Sequence, residues 1–154
     1  MAAIHKISGD FYEDSFALIA LHSSLEDYAM AYALNLYLKS NLSRTAIDLD
    51  LSQKISFPIF EWRDRINDRY WTLLPNNSNA EEQVDQSGLF RNEPALTLHH
   101  LVPEHKDVDY FLKIERDDSD MDDELVRSIL SIPRVVTAYT IEANMLKSKN
   151  NLIF

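Results

Sequence analysis

Three imidazoles and three carboxylates crowd the middle of one short stretch: His99, His100, Glu104, His105, Asp107 and Asp109. Held together, such groups bind zinc or another divalent ion, or trade protons in acid–base catalysis. The spacing argues against both. Adjacent His99 and His100 on a strand point to opposite faces, so one site cannot use both without a bulge. No helix-borne His-Glu-x-x-His pattern is present, and no third ligand falls at a diagnostic interval. These polar positions suit a turn, in which Glu104 or Asp109 accepts hydrogen bonds from exposed backbone N–H groups.

Other chemistries meet similar obstacles. The acidic run Asp117 to Glu124 resembles a calcium loop only in charge. Counted from Asp117, Met121 falls on a ligand position, Asp122 where glycine is needed and Ser128 where glutamate is needed. The run reads as a solvated helix start. Ser23-Ser24 after His22 reads as a helix cap, and no Gly-x-Ser-x-Gly elbow exists. Gly9 and Gly88 are the only glycines, which excludes dinucleotide and Walker loops. With no cysteine there is no disulfide and no thiolate. No catalytic residue, cofactor or metal is assigned, and an enzyme using Glu104, His105 and Asp109 ranks below a binding protein.

Charge narrows the partners. A net charge of -10 repels phosphate backbones, and the 15 Lys and Arg residues form no stripe. Arg63, Arg65 and Arg69 cluster, but Glu61, Asp64 and Asp68 interleave with them. Nucleic acid is thus not an expected partner. No apolar stretch is long enough to span a bilayer and no signal peptide is visible, so a cytoplasmic protein without membrane contact is expected.

The elements follow from periodicity. Residues 1–14 read as a loosely held arm. Ser15 to Leu21 is apolar on both alternations, as in a central strand covered on two faces. Ser24 is the expected N-cap of a helix from Leu25 to about Lys39, whose apolar residues go most of the way round. That helix must be sandwiched within the domain or covered by a second subunit. Thr45 to Leu51 alternates as a strand, and Phe57–Trp62 with Tyr70–Leu74 forms a β-hairpin, Pro58 marking an edge. Its aromatics Phe57, Phe60, Trp62, Tyr70 and Trp71 divide between core and a possible recognition surface. Residues 76–94 are read as a mobile loop. Val108, Tyr110, Leu112 and Ile114 share one strand face, with Asp109, Phe111, Lys113 and Glu115 on the other. A helix over Leu125–Ile132 stops at Pro133, and Val135 to Glu142 returns as a strand with Val135, Thr137, Tyr139 and Ile141 on one face.

Within this order, Val102-Pro103-Glu104-His105-Lys106-Asp107-Val108-Asp109-Tyr110 resembles the motif of the IPExxxVDY proteins of bacteria, valine standing for the leading isoleucine. The Asp27-Tyr28 helix start, Phe57–Trp62, Ser131–Tyr139 and the Lys147–Phe154 ending resemble that family too. The resemblance brings no chemistry with it, so Val102, Pro103, Glu104, Val108, Asp109 and Tyr110 are given a structural role in the turn.

Two strand–helix–strand units enclosing a hairpin predict one α+β domain over residues 1–154, a two-layer sandwich with a largely antiparallel sheet and two main helices. The ferredoxin-like plan with an inserted β-hairpin is the specific expectation. The function expected is a non-catalytic interaction module, a homodimer with a further protein partner, pairing through the 25–39 helix or the hairpin edge. The alternative is a small regulatory domain that binds a metabolite or ion near the 102–110 turn.

Overall fold

The computed structural model describes residues 16–52, 55–82, 95–115 and 122–154. The elements are β1 (Ala17–Ser23), α1 (Asp27–Leu38), β2 (Ser43–Arg44), β3 (Leu49–Asp50), β4 (Ser56–Phe57), β5 (Phe60–Asp64) and β6 (Arg69–Pro75). They continue with β7 (Asn77–Glu82), β8 (Ala95–His100), β9 (Tyr110–Glu115), α2 (Asp122–Leu130) and β10 (Val135–Ile141). Short 3₁₀ turns occupy Pro103–His105, Ala143–Met145 and Lys149–Leu152.

Six strands form one antiparallel sheet in the order β10-β1-β9-β6-β5-β2. The inner four, β10-β1-β9-β6, follow the 4-1-3-2 order of the split βαβ, ferredoxin-like plan. The β5 and β2 strands extend one edge, and the β7–β8 ribbon is inserted between β6 and β9. The fold is the expected α+β sandwich. Both helices pack on one face, where Ile19, Leu21, Met30, Leu34, Tyr110, Leu112, Ile129 and Ala138 make the larger core.

The far face is buried as well. Leu18, Ala20, Leu74 and Phe111 meet Phe57, Leu101, Val102, Val108, Leu146 and Leu152, so irregular chain covers the sheet there. This explains why β1 is apolar at every position from Leu18 to Leu21, each at most 1% exposed. It also corrects the pattern expected for β9. Phe111 and Lys113 are buried, and Val108 lies with Phe111 because the strand proper begins only at Tyr110.

Local signals decide the boundaries. Helix α1 starts at Asp27 with Glu26 as N-cap and no side-chain cap bond, not at Leu25 with Ser24. Ser23 does the local work instead: its Oγ accepts from Leu25 N at 3.2 Å and donates to Arg134 O at 2.7 Å. The helix ends where Lys39 turns left-handed (φ 55°), and Asn35 holds the exit through Leu42 N, Leu42 O and Ser40 Oγ. The buried Asp64 accepts from Ile66 N, Asn67 N and Asn67 Nδ2, which builds the hairpin turn around Asn67-Asp68.

Three further expectations need correction. Of Thr45–Leu51 only Leu49–Asp50 is strand, because Thr45 Oγ1 bonds Ile47 O and Ile59 O and bends the chain away. Residues 77–82 are strand β7 rather than loop; residues 83–94, like the arm 1–14, lie outside the described residues. In β10 the register slips between His22 and Ser23, which leaves Val136 unmatched. That bulge turns Val135 to the helix side with Ala138, away from Thr137, Tyr139 and Ile141.

Candidate functional site

The motif residues come together as a folded turn against the far face of the sheet. Val102 and Val108 are its fully buried anchors, and Pro103 opens the single 3₁₀ turn between them, its ring pre-set for a first helical position. Asn76, immediately after β6 and fully buried, lies at its centre. Asn76 Nδ2 donates to His105 O at 2.8 Å and Val108 O at 2.9 Å, while Oδ1 accepts from Val102 N at 2.8 Å. Its backbone adds Asn76 N to Asp109 O at 2.9 Å and Leu101 N to Asn76 O at 2.8 Å. One amide thus satisfies the turn's inward-facing polar groups.

The two motif carboxylates face different neighbours. Asp109 Oδ2 accepts from Ser23 N at 2.8 Å, and the next residue, Tyr110, donates its hydroxyl to Leu25 O at 2.5 Å. Both grip the corner between β1 and α1. The Tyr110 hydroxyl is pushed up to about 12 by burial, helped by the charges of Asp27, Asp109 and Glu26. Glu104 Oε2 accepts from Ser148 N at 3.1 Å, and Asn151 Nδ2 donates to Leu101 O at 2.9 Å, which ties the C-terminal 3₁₀ turns to the motif.

Burial alone would raise the Glu104 carboxyl. The Ser148 hydroxyl and the N–H groups of Ser148, Glu104 and Lys147 outweigh it and hold the group below its usual range. A depressed folded value means that Glu104 stabilises above the unfolded carboxyl range and loses this as pH falls through the folded value. Glu104→Gln should therefore lower the melting temperature slightly at neutral pH, at most about 1 kcal/mol for so exposed a group. The deficit should vanish in acid. Melting curves from pH 2 to 6 for both chains test this; a deficit unchanged in acid would rule out the carboxylate as its source.

The candidate ligand cluster does not converge. Among the described residues no group of three or more His, Asp or Glu side chains is placed to hold a metal ion. His99 and His100 alternate on β8, paired with Ser78 and Asn77, while Glu104 and Asp109 are engaged with backbone N–H groups at separate places. The His22 ring reaches Tyr139 OH at 3.0 Å on the sheet's far side, away from Ser24. Burial, then the charge of Asp107, raises the Tyr139 hydroxyl above its ordinary value.

A cleft of about 300 Å³ lies beside Phe16, Leu18, Thr140, Glu142, Asn144 and Lys149. Lys149 Nζ is engaged with Asn144 Oδ1 at 2.7 Å, and Asp122 and Glu142 also line the cleft. Among the hairpin aromatics, Phe57, Phe60 and Trp71 are core residues, and Trp62 packs on Trp71 with ring centroids 5.4 Å apart. The two-residue β2 covers the hairpin edge only at Phe60 and Glu61.

The open surface is on α1. Met30, Ala31 and Leu34 face the core, while Tyr28, Tyr32 and Leu36 stand 64%, 69% and 63% exposed along one ridge at four-residue spacing. Tyr37 adds a fourth exposed side chain. From Tyr28 to Leu38 the helix has no charged residue. An exposed helix face is ordinarily charged or polar. Among the described residues no helix is long and apolar enough to cross a membrane.

No family model, curated protein or solved structure matches the chain. The sequence signal for the α1 face was the wide apolar coverage of the helix. Asn76 gave no such signal, since an asparagine beside Asn77 and Ser78 is indistinguishable from loop composition.

Proposed function

We propose that the protein is a non-catalytic protein-interaction module that associates with a second copy of itself through the outer face of α1. The observation that carries this reading is the uncharged, exposed ridge Tyr28-Tyr32-Leu36 on a chain of net charge -10. Aromatic side chains supply large contact area at low entropic cost, as in interface cores. The ridge is bracketed by Glu26 and Asp27 at its start and Lys39 at its end. Two such helices packed antiparallel bring Lys39 of one copy to the acidic start of the other. That arrangement is self-complementary, as a two-fold contact requires. The motif turn serves as a clasp that fixes α1 and the C-terminal turns to the sheet; a metabolite or ion there is less favoured, because Glu104 and Asp109 already accept backbone N–H bonds. Likeness to the IPExxxVDY proteins belongs to the same proposal.

Sedimentation equilibrium over a wide concentration range tests it. Tyr32→Glu places a charge at the middle of the ridge without touching the core, and it should halve the mass of the assembly. An unchanged mass, with the circular dichroism of the native fold, would sink the reading.

A further inference from the structure

We infer that β10 is a second self-pairing surface, through which two copies join edge to edge into one continuous antiparallel sheet. The two edges of the six-stranded sheet are built differently. At one, β2 is a pair of exposed residues, Ser43 and Arg44, and Arg44 is ion-paired to Asp48 at 2.6 Å. A short, charged edge resists pairing with other chains. At the other, β10 runs Val135-Val-Thr-Ala-Tyr-Thr-Ile141, all but Ala138 good strand formers, with no charge and no proline. Only the bulge at Val136 interrupts it.

The free hydrogen-bonding groups can be assigned. The Leu21 carbonyl accepts from Asp109 N at 3.0 Å, so Leu21 addresses β9, and its neighbours Ala20 and His22 address β10. These two align with Tyr139 and Thr137. The N–H and C=O groups of Ala138 and Thr140 therefore point outward, and no strand among the described residues pairs with that edge.

Charge selects the occupant. Arg134 precedes the strand and Glu142 follows it, both exposed. An antiparallel second copy centred on Ala138 sets Arg134 of each chain toward Glu142 of the other, with only uncharged residues between. Val136, 81% exposed, then lies opposite Thr140. A strand from another protein would need the same basic-to-acidic polarity and the same uncharged middle; this chain's own β10 has both. On a surface of net charge -10, such an edge is where two copies meet without repulsion. Together with the α1 contact, and with the two two-fold axes meeting at right angles, the β10 contact closes a dimer of dimers.

The chain has no cysteine, so introduced thiols report only on the pair tested. Chains with Val136→Cys and chains with Thr140→Cys should cross-link to one another under mild oxidation, and far more than either does alone. In sedimentation the wild type should reach the mass of four copies, Thr140→Lys the mass of two, and Thr140→Lys with Tyr32→Glu the mass of one. Absence of the mixed cross-link, with a mass that Thr140→Lys leaves unchanged, overturns the β10 contact. A dimer broken by Tyr32→Glu alone overturns it while sparing the α1 reading, and a chain monomeric throughout overturns both.

Discussion

Replacing Asn76 with alanine should lower the melting temperature by about 10 °C. The substitution removes three hydrogen bonds and leaves Val102 N and Val108 O facing a buried space, while His105 O keeps the bond it accepts from Val108 N at 3.2 Å. A buried polar group left without a partner costs about 1–3 kcal/mol, so two such groups and the weakened bond at His105 O together cost about 4 kcal/mol. In a domain of this size each 1 kcal/mol is worth roughly 2–4 °C. Asn76→Asp should be no better. It keeps an acceptor for Val102 N but turns an acceptor toward two carbonyls, and it buries a charge. Protonation of the new carboxyl should recover part of the loss, so its deficit should shrink in acid while that of Asn76→Ala does not. Asn77→Ala is the control, since Asn77 Oδ1 has no partner to lose. If Asn76→Ala melted within about 3 °C of that control, the amide would not be the centre of the turn.

How far such a site can be read from sequence depends on whether the interaction is periodic. The β1 strand was legible because burial on both faces forces apolar residues at consecutive positions, and Leu18 to Leu21 meet that demand. The helices and the hairpin were legible for the same reason. What periodicity cannot show is a contact made once. Asn76 contacts residues 26 to 32 positions away, and nothing local distinguishes it from the loop asparagines that follow. The bulge at Val136 likewise follows from fitting Val135 under the helices while β10 stays paired with β1. The α1 start moved because Ser23, not Ser24, sits where its hydroxyl meets both Leu25 N and Arg134 O. The exposed α1 ridge was visible as an excess of apolar residues, but which side faced the core needed the sheet in place.

The motif's grip on α1 yields the second large effect. Asp109→Ala should cost about 2–3 kcal/mol, because it removes a charged acceptor and orphans the N–H of the buried Ser23. Asp109→Asn keeps an acceptor in place and should recover at least half of that. Tyr110→Phe should cost about 1–1.5 kcal/mol by leaving Leu25 O without its donor. Both bonds lock one corner, the turn from Ser23 to Leu25, so the two losses should not add. Once Asp109 is gone the corner is loose, and the Tyr110 hydroxyl has less to hold. A double-mutant cycle should show a coupling of about 0.5–1 kcal/mol, with amide exchange at residues 23–28 faster in either single variant. The Tyr110 share carries its own pH signature. Its folded value of about 12 lies above the ordinary 10, so this stabilisation is complete below pH 10 and fades as pH rises toward 12. The stability gap between wild type and Tyr110→Phe should close over that interval. Strict additivity, with no change in exchange at the corner, would mean that the two residues act on separate parts of the fold, and the motif would lose its claim to set the angle at which α1 presents its ridge.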